Sequence, residues 1–176
     1  MPAELKHQMV ELLPRLRRFA LSLVGTQDEA DDLVQSACER ALSRLDQFEP
    51  GTRLDSWMYR IIQSTWIDRH RRARRRPEVQ DAEAMTAVGF DARIHELSEA
   101  RDELGIIRSE MASMPDEQRV ILSLVVIEGL SYQATAETLD IPIGTVMSRL
   151  SRARRRLADA VASKARIIDS GPGTRT

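Results

Sequence analysis

The stretch Asp140-Ile141-Pro142-Ile143-Gly144-Thr145-Val146-Met147-Ser148-Arg149-Leu150-Ser151-Arg152-Ala153-Arg154-Arg155-Arg156-Leu157 decides the fold. Its first three residues make a tight turn, with a helix expected from about Ile143 to Ala162. At about 100° per residue, Val146, Leu150, Ala153 and Leu157 fall within about 60° of arc and form a buried stripe. Ser148, Ser151, Arg152 and Arg155 then lie on the opposite face. Arg149 and Arg156 flank one side, and Met147 and Arg154 the other.

Just upstream, Ser131 suits an N-cap for a short helix carrying Ala134, Ala136 and Leu139. Before that, Pro115 with Asp116 and Glu117 suits a helix start. That helix turns Val120, Ile121, Leu124 and Val125 inward and stops near Glu128-Gly129. A short helix, a tight turn and a longer basic helix spell a helix-turn-helix. The early part of such a recognition helix contacts base edges, which marks Ser148, Arg149, Ser151 and Arg152 as readers. One arginine bidentate to guanine supplies roughly 1–3 kcal/mol of discrimination. Arg154, Arg155 and Arg156 lie further along and suit phosphates, which give affinity without sequence. The competing reading is a helical hairpin with a solvated basic face.

The first half is helical too. Leu5, Met9, Leu12, Leu13, Leu16, Phe19, Ala20 and Leu23 follow a helical period, interrupted by Pro14, which predicts a kink or a late start. Gly25 stops that helix. Thr26 or Asp28 caps the next, which runs to about Leu45 and buries Leu33, Ala37, Ala41 and Leu45. After the turn Glu49-Pro50-Gly51-Thr52, a third helix begins near Asp55 or Ser56 and enters an arginine run that Pro77 ends. The fold class is therefore all-α, two small helical domains joined by a flexible linker. The expected boundaries are a first domain at 1–76, a linker at 77–103, a second domain at 104–166 and a disordered tail at 167–176. Cores this small are marginal alone.

Placement of charge carries more information than its sum, a net −1 over 176 residues. Arg69, Arg71, Arg72, Arg74, Arg75 and Arg76 form one basic cluster, and Arg149, Arg152, Arg154, Arg155 and Arg156 another. Residues 78–110 between them hold nine acids against three arginines. Two basic patches around an acidic spacer fit two polyanion contacts joined by a hinge, although solvated helix faces give the same pattern. No run approaches the roughly 20 apolar residues of a membrane span, and no signal peptide is visible. The single cysteine, Cys38, fits a reducing compartment, and its place beside Ala37 and Ala41 reads as structural. His7, His70 and His95 have no metal-ligand spacing, and neither a P-loop nor a nucleophile elbow occurs. No enzyme, metal or cofactor is expected.

Several blocks resemble a known family. Met114-Pro115-Asp116-Glu117-Gln118-Arg119, Glu128-Gly129-Leu130-Ser131-Tyr132, Ile141 to Val146 and Ser148 to Arg154 look like region four of bacterial sigma factors, above all the extracytoplasmic-function (ECF) group. LuxR-type regulators share a similar helical pattern. Asp28-Glu29-Ala30-Asp31-Asp32-Leu33-Val34-Gln35 resembles the region-two helix that docks on the β′ clamp of RNA polymerase, though an ordinary acidic helix start reads the same. Leu54-Asp55-Ser56-Trp57-Met58-Tyr59-Arg60-Ile61-Ile62 and Asp68-Arg69-His70-Arg71-Arg72 are similar to the promoter-melting and minus-ten segment. Order and spacing of the blocks match as well.

The resemblance implies a cytoplasmic, non-enzymatic initiation factor with core RNA polymerase (β′ clamp and β flap), promoter DNA and an anti-sigma factor as partners. It implies docking through Asp31, Asp32, Leu33 and Gln35. Minus-thirty-five reading falls to Ser148, Arg149, Ser151, Arg152 and Arg155. Minus-ten capture and melting fall to Trp57, Tyr59, Ser64, Trp66, Arg69, Arg71 and Arg72. Aromatics can stack on unstacked bases at roughly 1–3 kcal/mol each, beside arginines that follow the backbone. Helical spacing puts Trp57 with Ile61 and Thr65, and Tyr59 and Trp66 roughly opposite; Trp57 is the one expected in the core. Each base-pair step holds roughly 1.4 kcal/mol, so melting needs a large partner.

Departures from the family pattern are Ser64 where asparagine is common, Met147 where a basic residue is common, and Asp140 for a turn glycine. The alternatives are a stand-alone helix-turn-helix regulator of duplex DNA, against which the region-two-like block argues, and a helical adaptor. An anti-sigma partner is expected to hold the hinged lobes closed, hiding both DNA surfaces and the polymerase surface.

Overall fold

The computed structural model describes residues 3–75 and 96–169. Helices α1 (Ala3–Val24), α2 (Gln27–Leu42) and α3 (Leu54–Arg75) form the first lobe. Helices α4 (Glu96–Ser113), α5 (Asp116–Leu122), α6 (Tyr132–Leu139) and α7 (Ile143–Asp169) form the second. A π-helical turn, Ser123–Ile127, continues α5. Most of the expected linker lies outside the described residues, but α4 already begins within it. Likewise α7 runs to Asp169, past the expected start of the tail.

Pro14 sits inside α1 without ending it. Gly25, at φ 93°, reverses the chain into α2 in a backbone region that side chains rarely occupy. Ser131 caps α6 as expected, its hydroxyl accepting the Ala134 N–H at 3.1 Å. Asp140 ends α6 in the left-handed conformation (φ 54°, ψ 51°), and its N–H reaches the Ala136 and Glu137 carbonyls. The turn into α7 therefore persists without glycine.

The first core gathers Leu16, Phe19, Leu23, Leu33, Met58 and Ile62, all fully buried. It does not stop at the lobe boundary. Val120, Leu124 and Leu130 of the second lobe belong to the same buried cluster. A separate core lies under α7, where Met114, Ile121, Leu122, Ala136, Val146, Leu150 and Ala153 pack together. The two lobes thus pack against each other, with α1 and α3 of the first meeting the π turn and α6 of the second. Among the described residues no helix is long and apolar enough to cross a membrane.

Candidate nucleic-acid interface

The face of α7 opposite its buried stripe is open. Ser148, Ser151, Arg152, Arg154 and Arg155 are exposed, while Val146, Leu150 and Ala153 are buried beneath them. Arg149 is steadied by Glu117 of α5, Nη2 to Oε2 at 2.7 Å. Arg156 pairs with Glu110 and donates to the Ser113 hydroxyl at 3.1 Å. These contacts fix the flanks of the helix and leave the middle of its basic face to solvent. Such a face presents guanidinium donors to base edges and phosphates in one plane.

Helix α3 meets the expectations less well. Tyr59, expected to face outward, is fully buried and packs edge-on against Phe19 with ring centroids 5.0 Å apart. Its hydroxyl donates to Glu128 Oε2 at 2.6 Å. Trp66 is also buried, stacked on His70 at 5.5 Å, with the Arg119 guanidinium 5.3 Å from its ring centre. Trp57, expected in the core, is only half-buried and leans on Phe48 at 5.2 Å. The reason is that α3 is packed on two sides, by α1 and α2 and by the second lobe, so its phase cannot be read from one stripe. Ser64 is half-buried and donates to the Ile61 carbonyl at 3.0 Å. Arg71 and Arg72 are exposed, and Arg69 donates to the Asp32 carbonyl at 3.2 Å and to the Ser36 hydroxyl.

On α2, Asp31, Asp32 and Gln35 are exposed. Asp31 pairs with Arg17 at 2.8 Å, and Gln35 donates to Glu39 at 3.1 Å. Leu33, expected at the docking surface, is instead fully buried in the first core, and this corrects its assignment. A helix start that reads Asp-Asp-Leu-Val places its acids outward because the two apolar residues face in.

One constellation had no sequence signal. The Glu128 side chain is fully buried, yet it accepts two bonds from Arg18, at 2.8 and 3.1 Å, and lies 3.4 Å from Arg15 Nε. The Glu128 hydrogen bond and charge raise the Arg18 pKa. Burial first, then the Glu128 bond and charge, hold the Tyr59 phenol well above its ordinary range. Burial pushes the Asp55 carboxyl up, but bonds from Arg53 and the Ser56 N–H, with the charges of Arg53 and Arg15, outweigh it and keep it low. Burial raises the half-buried Cys38 thiol, which disfavours the reactive thiolate.

Residues 9–76 match the model of Sigma-70 region 2, and residues 104–157 that of Sigma-70, region 4. The chain is 36% identical over 154 residues to the ECF RNA polymerase sigma factor EcfG of Rhodopseudomonas palustris, covering 88% of this chain and 83% of that one. It is 32% identical over 161 residues to the ECF RNA polymerase sigma-E factor of Escherichia coli, covering 85% and 84%. Among solved structures, it is similar to the sigma factor RpoE of Bartonella quintana, solved in complex with the anti-sigma factor NepR. That match has a TM-score of 0.71 at 28% identity and covers 90% of this chain and 97% of that one.

Proposed function

The chain belongs to the ECF group of the sigma-70 family, and we propose that it binds core RNA polymerase and directs it to promoters through the surfaces described above. Asp31, Asp32 and Gln35, exposed on α2, are the docking residues for the β′ clamp, while the second lobe engages the β flap. Ser148, Arg149, Ser151 and Arg152 read the minus-thirty-five element in the major groove, with Arg155 on phosphate. Trp57, Ser64, Trp66, Arg69, Arg71 and Arg72 of α3 serve minus-ten capture and melting. Tyr59 supports that helix from the core.

The observation that carries the proposal is the open basic face of α7 on a buried stripe, in one chain with an acidic docking helix. All of this is binding chemistry, and we assign the protein no reaction of its own and a cytoplasmic place beside polymerase. An anti-sigma protein is the natural regulator, as the neighbouring RpoE was solved with one. The surfaces left open here, α2 and α7, are those such a partner would cover.

A titration of labelled protein with core polymerase from a GC-rich bacterium tests this. Saturable binding, weakened in Asp31→Ala/Asp32→Ala, is expected. A protein that ignores polymerase yet holds duplex DNA would be a stand-alone regulator.

A further inference from the structure

We propose that the leading end of α7 reads thymine: Ile143 and Met147 form an apolar tip that packs on thymine C5-methyl groups in the major groove. This deepens the reading of α7 as the minus-thirty-five helix and rests on it.

The open face of α7 is not uniform along its length. The turn into the helix and its first residues expose Pro142, Ile143, Gly144, Met147 and Ser148. The exposed arginines, Arg152, Arg154 and Arg155, follow only later. Ile143 is 43% exposed and Met147 53%, and a spacing of four residues sets them on one face. A lone exposed apolar side chain is ordinary. Two adjoining ones, at the end of a helix that enters a polar groove, mark a contact.

Hydrogen-bonding groups at this end are already turned inward. The Ser148 hydroxyl donates to the Thr145 carbonyl at 3.1 Å, and one arm of Arg149 is held by Glu117 at 2.7 Å. What Ile143 and Met147 add outward is hydrocarbon and a thioether, with no donor and no charge. The major-groove edges of the base pairs carry one apolar substituent, the thymine methyl; the rest is donors and acceptors. Against another base these side chains displace water from a polar edge and return no hydrogen bond. Only thymine offsets that loss, with a buried methyl. Side chains three to four residues apart on a reading helix meet successive bases. Arg152, five residues beyond Met147, therefore meets its base about one to two base pairs from the thymine.

Duplexes selected by the full chain, free and bound to core polymerase, from a library randomised over about one helical turn supply the test site. Deoxyuridine then replaces each thymine in turn, which removes the methyl and keeps every hydrogen bond. At a thymine under the tip, anisotropy should show the parent weakened about fourfold, the effect of exposing one methyl-sized group. Ile143→Ala and Met147→Ala should each shrink that effect, and the double variant should bind thymine and deoxyuridine duplexes alike. At the same position 5-methylcytosine should bind the parent more tightly than cytosine does, and the double variant equally. Both side chains are exposed, so the variants should fold as the parent does, which circular dichroism checks. The salt slope should not move, because no cation is lost. Selected sites whose thymines all tolerate deoxyuridine, or a methyl effect that survives in the double variant, would overturn thymine reading by the tip. Either result leaves α7 a duplex reader. A chain that selects no duplex, free or with polymerase, would overturn that reading and the apolar tip with it.

Discussion

The Glu128 carboxylate accepts the Tyr59 hydroxyl at 2.6 Å, joining residues 69 positions apart on opposite lobes. The bond lies where the first core takes in Val120, Leu124 and Leu130, so charge pairing and apolar burial close the same interface. Removing either partner therefore acts on lobe closure as well as on local packing.

Tyr59→Phe should lower unfolding free energy by about 1.5–3 kcal/mol, since the lost acceptor is charged and buried. Glu128→Ala should cost about 3 kcal/mol, because it strands the phenol and ends both arginine pairs. Urea melts followed by circular dichroism check both, and a Tyr59→Phe protein as stable as the parent would contradict the geometry.

The pH dependence has a definite sign at each end. The raised Tyr59 pKa means its contribution is complete below the ordinary phenol value of about 10 and is lost as pH climbs through the folded value. The lowered Asp55 pKa means its contribution is present above the ordinary 3.8 and is lost as pH falls through the folded value. Phenolate absorbance should show Tyr59 unionised until the protein unfolds in alkali. Asp55→Asn should remove part of the acid limb of a stability profile.

Asp140 should tolerate glycine and reject branching. Its left-handed backbone costs an ordinary side chain about 1–2 kcal/mol, which Asp140→Val should show in full. Asp140→Gly should leave the melting temperature near the parent's. A large loss with glycine would mean that the aspartate side chain, and not the turn, matters.

Exposed arginines on α7 should separate by role. Arg152→Ala should cost about 1–3 kcal/mol of discrimination at one promoter position. Arg154→Ala/Arg155→Ala should weaken all sequences alike and reduce the salt slope of duplex binding by about two. Anisotropy titrations across salt concentrations measure both.

Where one face of a helix is buried, the sequence was a sufficient guide. Val146, Leu150 and Ala153 follow a single stripe and lie buried as their spacing requires. Ser131 and Asp140 announce a cap and a turn by local chemistry alone. Helix α3 defeats that reading because two bodies cover it, which exchanges the expected places of Trp57 and Tyr59. Glu128 was invisible for another reason. Next to Gly129 it reads as a solvated helix end, and only the π turn and a partner lobe reveal its burial. Long-range ion pairs leave no periodic signal.

Run-off transcription with core RNA polymerase on genomic promoter fragments tests the central claim most directly. New start sites should appear only when the protein is added, and should vanish with Arg149→Ala/Arg152→Ala while that variant still binds core enzyme. Polymerase binding without any new start would contradict the claim that this chain initiates transcription.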